Sequence, residues 1–278
     1  MFYIYYILKI SKRREEITGT ITITWASSIE NHKGMEVIGD IGGAGHTLAH
    51  LSACMEKFEA KKKGCCELID INEISEISER SERSERSEDK AYLLIVRGGV
   101  DMLLEDARMN GDDAWDELHT FEWDKKAFMK GRVVNKKARQ NVCIADFSQE
   151  PDYENKKGTV VNFEELPVMK TLREKLPEFL EEADHLLAEG NYYTDLKKKE
   201  VGIGFHGDTE RRKVIAMRFG ESMDLQYQWF YKSEPVGKRV KVMLNDGDMY
   251  VMSEKAVGFD WLKKNTYTLR HAAHNLAK

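Results

Sequence analysis

The feature that most constrains the fold is a succession of short strand-like segments in the C-terminal third of the chain. After Asn191, segments rich in β-branched and aromatic residues alternate with turn-forming residues. The pattern predicts the strands Val201–Phe205, Val214–Phe219, Asp224–Tyr231, Arg239–Leu244, Asp248–Ser253 and Tyr267–His271. Many short strands separated by turns are typical of a β-barrel or a β-sandwich.

The first part of the chain has a different pattern, in which strands and helices alternate. Threonine and isoleucine alternate over residues 18–25, which predicts a half-buried strand, and the apolar spacing over residues 46–61 predicts a helix. A continuous apolar run at residues 91–96 predicts a buried strand that leads into a second helix. This alternation predicts a small α/β unit within residues 1–112, and a turn-rich acidic segment predicts the start of a second unit, residues 113–278.

Composition predicts a globular protein of a reducing compartment. Of the 278 residues, 41% are hydrophobic and 33% are charged, and the net charge of −5 gives no overall attraction to nucleic acid. The four cysteines do not form a secreted disulfide framework in a chain of this length, so an intracellular location, cytoplasmic or nuclear, is expected. The apolar run at residues 1–10 is about half as long as a bilayer crossing requires, so no membrane association is expected.

Residues 73–90 form a low-complexity segment of the predicted N-terminal unit. Its repeated Glu-Ile-Ser and Glu-Arg-Ser triplets contain few large apolar side chains. Such a composition buries too little apolar surface to offset the entropy of ordering, which predicts a mobile loop or a solvated helix.

One constellation in the β-rich part is suited to metal chemistry. His206-Gly-Asp208 directly follows a predicted strand, and His271 ends the last predicted strand. Two imidazoles and a carboxylate on one face of a metal leave three coordination positions open, which suits an iron(II) ion that must bind an oxo acid and oxygen together. A His-x-Asp pair alone is weak support, but the position of these residues at strand ends favours a metal site. His274 is an alternative ligand to His271.

The N-terminal half offers two weaker candidates for a site. His46, His50 and Cys54 have helical spacing and share one face, which suggests either a zinc site or an ordinary half-buried helix face. The glycine-rich segment at residues 42–45 precedes this helix and forms either a phosphate-binding loop or a tight turn, and it does not match the dinucleotide fingerprint.

Longer motifs in the C-terminal part resemble those of one enzyme family. The run Asn191-Tyr-Tyr193 and the segment from Val201 to Glu210, Val-Gly-Ile-Gly-Phe-His-Gly-Asp-Thr-Glu, are similar to the Asn-x-Tyr and Gly-x-His-x-Asp-x-Glu signatures of the AlkB family. Leu269-Arg-His271 is similar to the segment that carries the distal histidine of that family. The resemblance covers about residues 122–278.

The resemblance implies a fold, a reaction and a set of site residues. The implied fold is α+β, a double-stranded β-helix (jelly-roll) with flanking helices. The implied activity is that of an Fe(II)- and 2-oxoglutarate-dependent dioxygenase, which uses O2 to hydroxylate or demethylate a nucleobase or a protein side chain. His206, Asp208 and His271 would be the metal ligands and the catalytic centre, and Asn191 and Tyr193 would contact 2-oxoglutarate.

The chain departs from the family pattern near its C-terminal end. The family has a further strand after the distal histidine, and an arginine of that strand pairs with the far carboxylate of 2-oxoglutarate. This chain ends at Lys278, so the unit is expected to be C-terminally truncated, or Arg218 or Arg270 is expected to replace that arginine. The alternatives are a catalytically impaired binding module with the same fold and a cupin-like metalloenzyme that does not use 2-oxoglutarate.

A basic segment inside the region of resemblance indicates a nucleic-acid partner. Its cationic residues are Lys125, Lys126, Lys130, Arg132, Lys136, Lys137 and Arg139. Such a segment forms either a solvated helix face or a strip that contacts phosphates. Because the segment overlaps the part that resembles a substrate-covering lid, it favours nucleic acid as the substrate.

Overall fold

The computed structural model describes residues 18–77 and 90–274. The apolar run at residues 1–10 lies outside the described residues, as do residues 78–89 of the low-complexity segment and residues 275–278 at the end of the chain. In the described ranges the fold is α+β and consists mainly of antiparallel strands, which confirms the expected class at that level.

The strands of the described ranges are numbered in chain order. They are β1 Thr20–Ala26, β2 Ser28–Glu30, β3 Val37–Gly39, β4 Cys66–Asp70, β5 Tyr92–Val96, β6 Lys126–Met129, β7 Arg132–Asn135, β8 Gln140–Ala145, β9 Val160–Asn162, β10 Leu187–Tyr193, β11 Ile203–His206, β12 Val214–Gly220, β13 Met223–Tyr231, β14 Glu234–Leu244, β15 Met249–Met252 and β16 Thr268–Ala273.

The helices are fewer and most are short. They are α1 Leu48–Lys61, α2 Ile71–Ile74, α3 Gly99–Leu104, α4 Gly111–Glu117, α5 Pro167–Phe179 and α6 Glu254–Val257, with single 3-10 turns at Glu105–Ala107, Tyr153–Asn155 and Phe163–Glu165. None of the helices within residues 18–77 and 90–274 has the length and apolar character needed to cross a membrane.

Most of the strands belong to two sheets. The large sheet has eight strands in the order β4-β5-β15-β12-β1-β10-β8-β9, and the small sheet has four in the order β11-β16-β13-β14. Two further pairs, β2-β3 and β6-β7, form separate hairpins. Apart from β8 and β9, which are parallel, the paired strands of the described ranges are antiparallel.

The first strand, β1, lies in the middle of the large sheet. It pairs with β10 on one side and with β12 on the other, so that Thr22 lies opposite both Asn191 and Arg218. Since side chains alternate between the two faces of a strand, the isoleucines of β1 enter one core and its threonines point to the other side of the sheet. Strands from both sides of the predicted boundary at 112/113 therefore share one sheet.

Each face of the large sheet packs against a different layer. On one face, a core that includes Ile23, Phe58 and Leu172 joins the sheet to the helices α1 and α5. On the other face, Ala216 of β12 and residues of β13 and β16 such as Trp229 belong to a second core between the two sheets. The space between the two sheets is therefore apolar where β12 packs against β13 and β16.

One predicted helix is shorter in the structure than its sequence pattern suggested. Apolar spacing predicts a helix over residues 168–188, but α5 ends at Phe179. Glu182 and His185 adopt positive φ angles of 57° and 53°, which a right-handed helix cannot contain. The apolar residues after them belong to β10, which is buried at the centre of the sheet.

Candidate metal centre

Two adjacent strands of the small sheet bring His206, Asp208 and His271 together. His206 ends β11 and lies directly opposite His271 of β16, with their ring centroids 4.4 Å apart. Asp208 Oδ1 lies 3.7 Å from His206 Nε2, and its Oδ2 lies 3.9 Å from His271 Nε2. An ion with bonds of about 2.1 Å holds neighbouring ligand atoms about 3 Å apart, so both Asp208 distances are somewhat longer than those of an occupied site. The three residues form a group that could hold a metal ion.

The surroundings of both imidazoles favour Nε2 or a neutral ring at the site. His206 Nδ1 lies 2.9 Å from the carbonyl oxygen of Gly204, and because a carbonyl only accepts hydrogen bonds, Nδ1 is the donor of this contact and Nε2 is the nitrogen left for a metal. Burial lowers the pKa of His271 well below its usual value, and the neighbouring His206 and Arg211 lower it further. His271 is therefore unprotonated at neutral pH.

The loop that carries Asp208 is held in place through a close backbone approach. A Cβ atom on Gly207 would lie only 2.2 Å from the carbonyl oxygen of Gly258, just after α6. The amide of Asp208 also donates a hydrogen bond of 3.2 Å to the carbonyl of Val257. Gly207, which lies between His206 and Asp208, is therefore required for the position of the loop.

A buried ion-pair network lies beside the metal-ligating group. Arg211 Nη2 lies 2.6 Å from Glu189 Oε2 and 2.8 Å from Glu210 Oε1, and Arg211 Nε lies 3.9 Å from Asp208. Burial alone would lower the pKa of Arg211, but these carboxylates raise it well above its usual value. Burial would likewise raise the pKa of Glu189, but Arg211 holds it below its usual value. Arg211 therefore stays charged and neutralises part of the acidic cluster.

These groups face a cavity of about 590 Å³. Its walls include Asn191 and Tyr193 of β10, Thr22 of β1 and Tyr250 of β15, together with His206, Asp208 and His271. Asn191 is fixed because its side-chain oxygen accepts hydrogen bonds from Arg139 and, at 2.8 Å, from Asn141 Nδ2. A potential metal site thus opens into a polar pocket between the sheets.

Comparison with known proteins gives one informative relationship. No protein-family model matches the chain. An uncharacterized protein of Acanthamoeba polyphaga mimivirus is 44% identical over 257 residues, which are 92% of this chain and 96% of that protein. The chain belongs to the family of that mimivirus protein. The alignment spans nearly all of both chains.

In this member of the mimivirus family, the predicted cofactor-binding residues have different surroundings. Asn191 and Tyr193 line the cavity. Arg218 is fully buried, on the same side of β12 as Val214. Arg270 precedes His271 on β16, so their side chains point to opposite faces of the strand. The Arg270 guanidinium stacks 3.9 Å from the ring centroid of Phe230, outside the cavity lining. The structure thus brings Asn191 and Tyr193 into the cavity lining, which includes neither Arg218 nor Arg270.

The basic segment of this family member forms a hairpin instead of a helix face. Lys126 and Arg132 lie on β6 and β7, and five of the seven cations are exposed: Lys125, Lys126, Lys130, Arg132 and Lys137. The other two are engaged, since Lys136 Nζ donates a 2.7 Å hydrogen bond to Asn31 Oδ1 and Arg139 bonds to Asn191. The segment therefore offers a smaller free cationic surface than its sequence suggested.

Some site residues were not predicted, and one was assigned to the wrong environment. Glu189, Glu30 and Tyr250 carry no recognisable sequence signal, because they reach the cavity from separate strands. The charged run Glu210-Arg-Arg212 predicts surface ion pairs, but only 4% of the Arg211 side chain is exposed. A charged residue that directly follows a metal motif gives no sequence indication of burial, which depends on the distant partner Glu189.

The weaker N-terminal metal candidate is not assembled. Among the described residues, the groups that could hold a metal are the His206 group and a second one of Glu59, Cys65 and Cys66, and His46, His50 and Cys54 do not form one. Burial lowers the pKa of His46 to about 3 and raises that of the Cys54 thiol to about 12, so both pack as neutral side chains. Glu59 accepts hydrogen bonds from the amides of Gly64 and Cys66, which gives it a structural role.

Proposed function

We propose that the protein is an Fe(II)- and 2-oxoglutarate-dependent dioxygenase that hydroxylates or demethylates a nucleobase or a protein side chain. The observation that carries the proposal is the group of His206, Asp208 and His271, whose ligand atoms lie within 4.8 Å of one another at a polar cavity. Two neutral imidazoles and one carboxylate form the donor set of non-haem iron(II) oxygenases.

The donor set fits the proposed metal and co-substrate. His206, Asp208 and His271 would hold the iron and leave coordination positions on the cavity side, and Asn191 and Tyr193 would contact the oxo acid. When bound, iron(II) and 2-oxoglutarate would supply the oxidising power, since the oxo acid loses carbon dioxide to give succinate and one oxygen atom of O2 enters a C–H bond of the substrate.

The chain's own residues would orient the substrate and exclude water. The cavity is lined by apolar side chains such as Leu225 and Trp261 as well as by polar groups, so a bound ligand would be largely desolvated. Arg211 would keep Asp208 in position and limit the negative charge beside the metal. The exposed cations of the β6-β7 hairpin support a nucleic acid as the substrate, because they could contact phosphates.

The strand arrangement also supports the proposed jelly-roll. Residues of β12 and β15 in the large sheet share a core with β13, β14 and β16 of the four-stranded small sheet, and a jelly-roll consists of eight strands in two packed sheets. In such a jelly-roll β1 would replace the strand that the AlkB family has after its distal histidine. The pocket-facing residues of β1 are threonines instead of arginines, which favours a catalytically impaired binding module as the second candidate.

Anaerobic spectroscopy and product analysis test the proposal. Fe(II) and 2-oxoglutarate added to the anaerobic protein should give a visible charge-transfer band, and exposure to O2 should yield succinate. The His206→Ala variant should lose both signals, whereas Arg212→Met, which changes an ion pair outside the metal-ligating group, should keep them. A protein that binds iron but forms neither the band nor succinate would favour the binding module.

A further inference from the structure

The turn between α1 and β4 brings two thiols and a carboxylate together. Cys65 and Cys66 are adjacent at the start of β4, and their Sγ atoms lie 3.6 Å apart. Glu59 belongs to the last turn of α1. One ligand atom from each of the three residues lies within 4.8 Å of the others. Because β4 is the outer strand of the large sheet, this group lies at a sheet edge and shares no residue with the His206 group.

The backbone of the turn holds the Glu59 carboxylate in place. The amide of Gly64 donates to Glu59 Oε2 at 2.6 Å, and the amide of Cys66 donates to Oε1 at 2.8 Å. Gly64 has a φ of 75°, which glycine adopts without strain and which closes the turn. A carboxylate oxygen has more than one lone pair, so each oxygen of Glu59 can accept a further partner. Metal-ligating carboxylates are commonly fixed by hydrogen bonds of this kind.

The separation of the two thiols fits a shared metal ion better than a disulfide. The four cysteines are free thiols. Consecutive Cα atoms lie about 3.8 Å apart across a trans peptide, whereas a disulfide usually joins Cα atoms about 4.4–6.8 Å apart. A tetrahedral zinc ion with Zn–S bonds of about 2.3 Å holds two thiolates about 3.8 Å apart. The sulfurs of Cys65 and Cys66 already have nearly that separation, at 3.6 Å.

We propose that Glu59, Cys65 and Cys66 bind one zinc ion and leave its fourth coordination position to water. Thiolates and carboxylates are both zinc ligands, whereas magnesium and calcium take oxygen ligands and Cu(I) favours sulfur ligands alone. Cys65 is buried, but Glu59 and Cys66 are half-buried, so an ion can reach the site from solvent. The proposal does not rest on the dioxygenase activity.

A zinc ion at this position would join the end of α1 to the edge of the large sheet. Burial and the neighbouring Cys65 raise the pKa of the Cys66 thiol above its usual value, so the metal-free site holds neutral thiols. Zinc deprotonates the thiols that it binds, and the energy of binding a site that exists only in the folded state stabilises the fold. Zinc should therefore stabilise the protein by clipping α1 to β4.

Cobalt(II) titration of the reduced, chelator-treated full chain tests this site. The His206→Ala background removes one ligand of the other metal-binding group. One equivalent of Co(II) should give a thiolate-to-cobalt charge-transfer band in the near ultraviolet, which imidazole and carboxylate ligands do not produce, and one equivalent of Zn(II) should abolish it. The dissociation constant for zinc should be below about 10 μM. Absence of the band, or weaker zinc binding, would overturn the proposal.

Substitutions in the same background identify the ligands. Cys66→Ser should weaken zinc binding at least about 100-fold, because a hydroxyl replaces a thiolate, and Cys143→Ala is its control because that thiol lies on β8. Glu59→Gln should weaken zinc binding at least about tenfold, and Glu56→Gln is its control because it changes an exposed carboxylate of the same helix. Zinc affinity in either variant equal to that of its control would overturn the three-ligand site.

Thermal unfolding distinguishes the proposed clip from adventitious zinc. At a zinc concentration about 100 times the dissociation constant, the melting temperature of the His206→Ala chain should rise by at least about 5 °C. The chain that also carries Cys66→Ser should show almost no rise, and an equal rise in both would overturn the clip. If the metal-free Cys66→Ser chain lacks the circular dichroism of the folded protein, Glu59→Gln takes its place in this comparison. Succinate is not measured, so these results and those for the dioxygenase are independent.

Discussion

The buried pair of Arg211 and Glu189 permits a quantitative prediction about the site. Removing one partner of a buried ion pair leaves an uncompensated charge, which destabilises a protein by about 3–5 kcal/mol. In an Arg211→Met variant, Glu189 would keep two weak donors, the side-chain nitrogen of Asn191 at 3.2 Å and the amide of Glu30 at 3.4 Å, and the charge of Arg139, which does not bond to it directly. We therefore expect this variant to lose about 3–5 kcal/mol of unfolding free energy.

The adjacent residue provides a matched control. Arg212 lies 2.8 Å from Glu254, but 36% of each side chain is exposed, so Arg212→Met should change the free energy by less than about 1 kcal/mol. Glu189→Gln should be milder than Arg211→Met, because Arg211 keeps Glu210 at 2.8 Å. In a double-mutant cycle the Arg211 and Glu189 changes should couple by about 1–3 kcal/mol.

Urea unfolding of the chelator-treated proteins, followed by circular dichroism, measures these differences. Equal losses for Arg211→Met and Arg212→Met would show that burial does not determine the strength of the pair. A coupling energy near zero would contradict the direct contact between Arg211 and Glu189.

Three further predictions concern the pocket and its support. Burial and the neighbouring acids raise the pKa of Glu30 to about 7, so the folded protein should lose stability as the pH rises from about 4.5 to about 7 and change little above that. Glu30→Gln removes this titration, so its unfolding free energy relative to that of the wild type should be about 1–2 kcal/mol higher at pH 8 than at pH 5, a range reduced because Glu30 is partly exposed. The same difference at both pH values in urea unfolding would contradict this expectation. Gly207→Ala should weaken Co(II) binding by at least about tenfold in a spectroscopic titration, because its Cβ would collide with the Gly258 carbonyl, whereas Gly204→Ala, whose Cβ meets nothing within 4 Å, should bind normally. Glu117→Ala should lower the unfolding free energy by about 2–3 kcal/mol, since Glu117 accepts hydrogen bonds from the first amides of α5 at 2.7 and 2.8 Å, and a loss below about 0.5 kcal/mol in urea unfolding would argue against that cap.

Local patterns in the sequence predicted much of the strand content. The segment expected at residues 214–219 is β12, and the one expected at 224–231 is β13, because alternating apolar residues there face the core between the sheets. The same local reasoning failed after α5, where a buried strand and a helix both require frequent apolar residues. Only the backbone conformations of Glu182 and His185 separate the two elements.

The three residues of the candidate metal centre were predictable because His206 and Asp208 form a short motif at the end of a predicted strand and His271 lies in a segment that resembles the family's distal histidine. The surroundings were not, because they depend on which strands become neighbours. The sequence singled out Arg218 only through the family resemblance, and its complete burial follows from the position of β1 beside β12. Long-range pairing of this kind leaves no local trace in the chain.

The central place of β1 has a consequence for how the protein is made. The amide of Gly19 and the hydroxyl of Thr20, at the start of this strand, bond to Glu221, 202 and 201 positions further along the chain. During synthesis at about 5–20 residues per second, β1 leaves the ribosome well before β10 and β12 exist, and it must wait about 10–40 s for its neighbours. Its alternating isoleucines stay exposed during that interval, and closing so long a loop is slow. Nascent chains are therefore most vulnerable to aggregation, and most dependent on chaperones, until the last third of the protein has been translated.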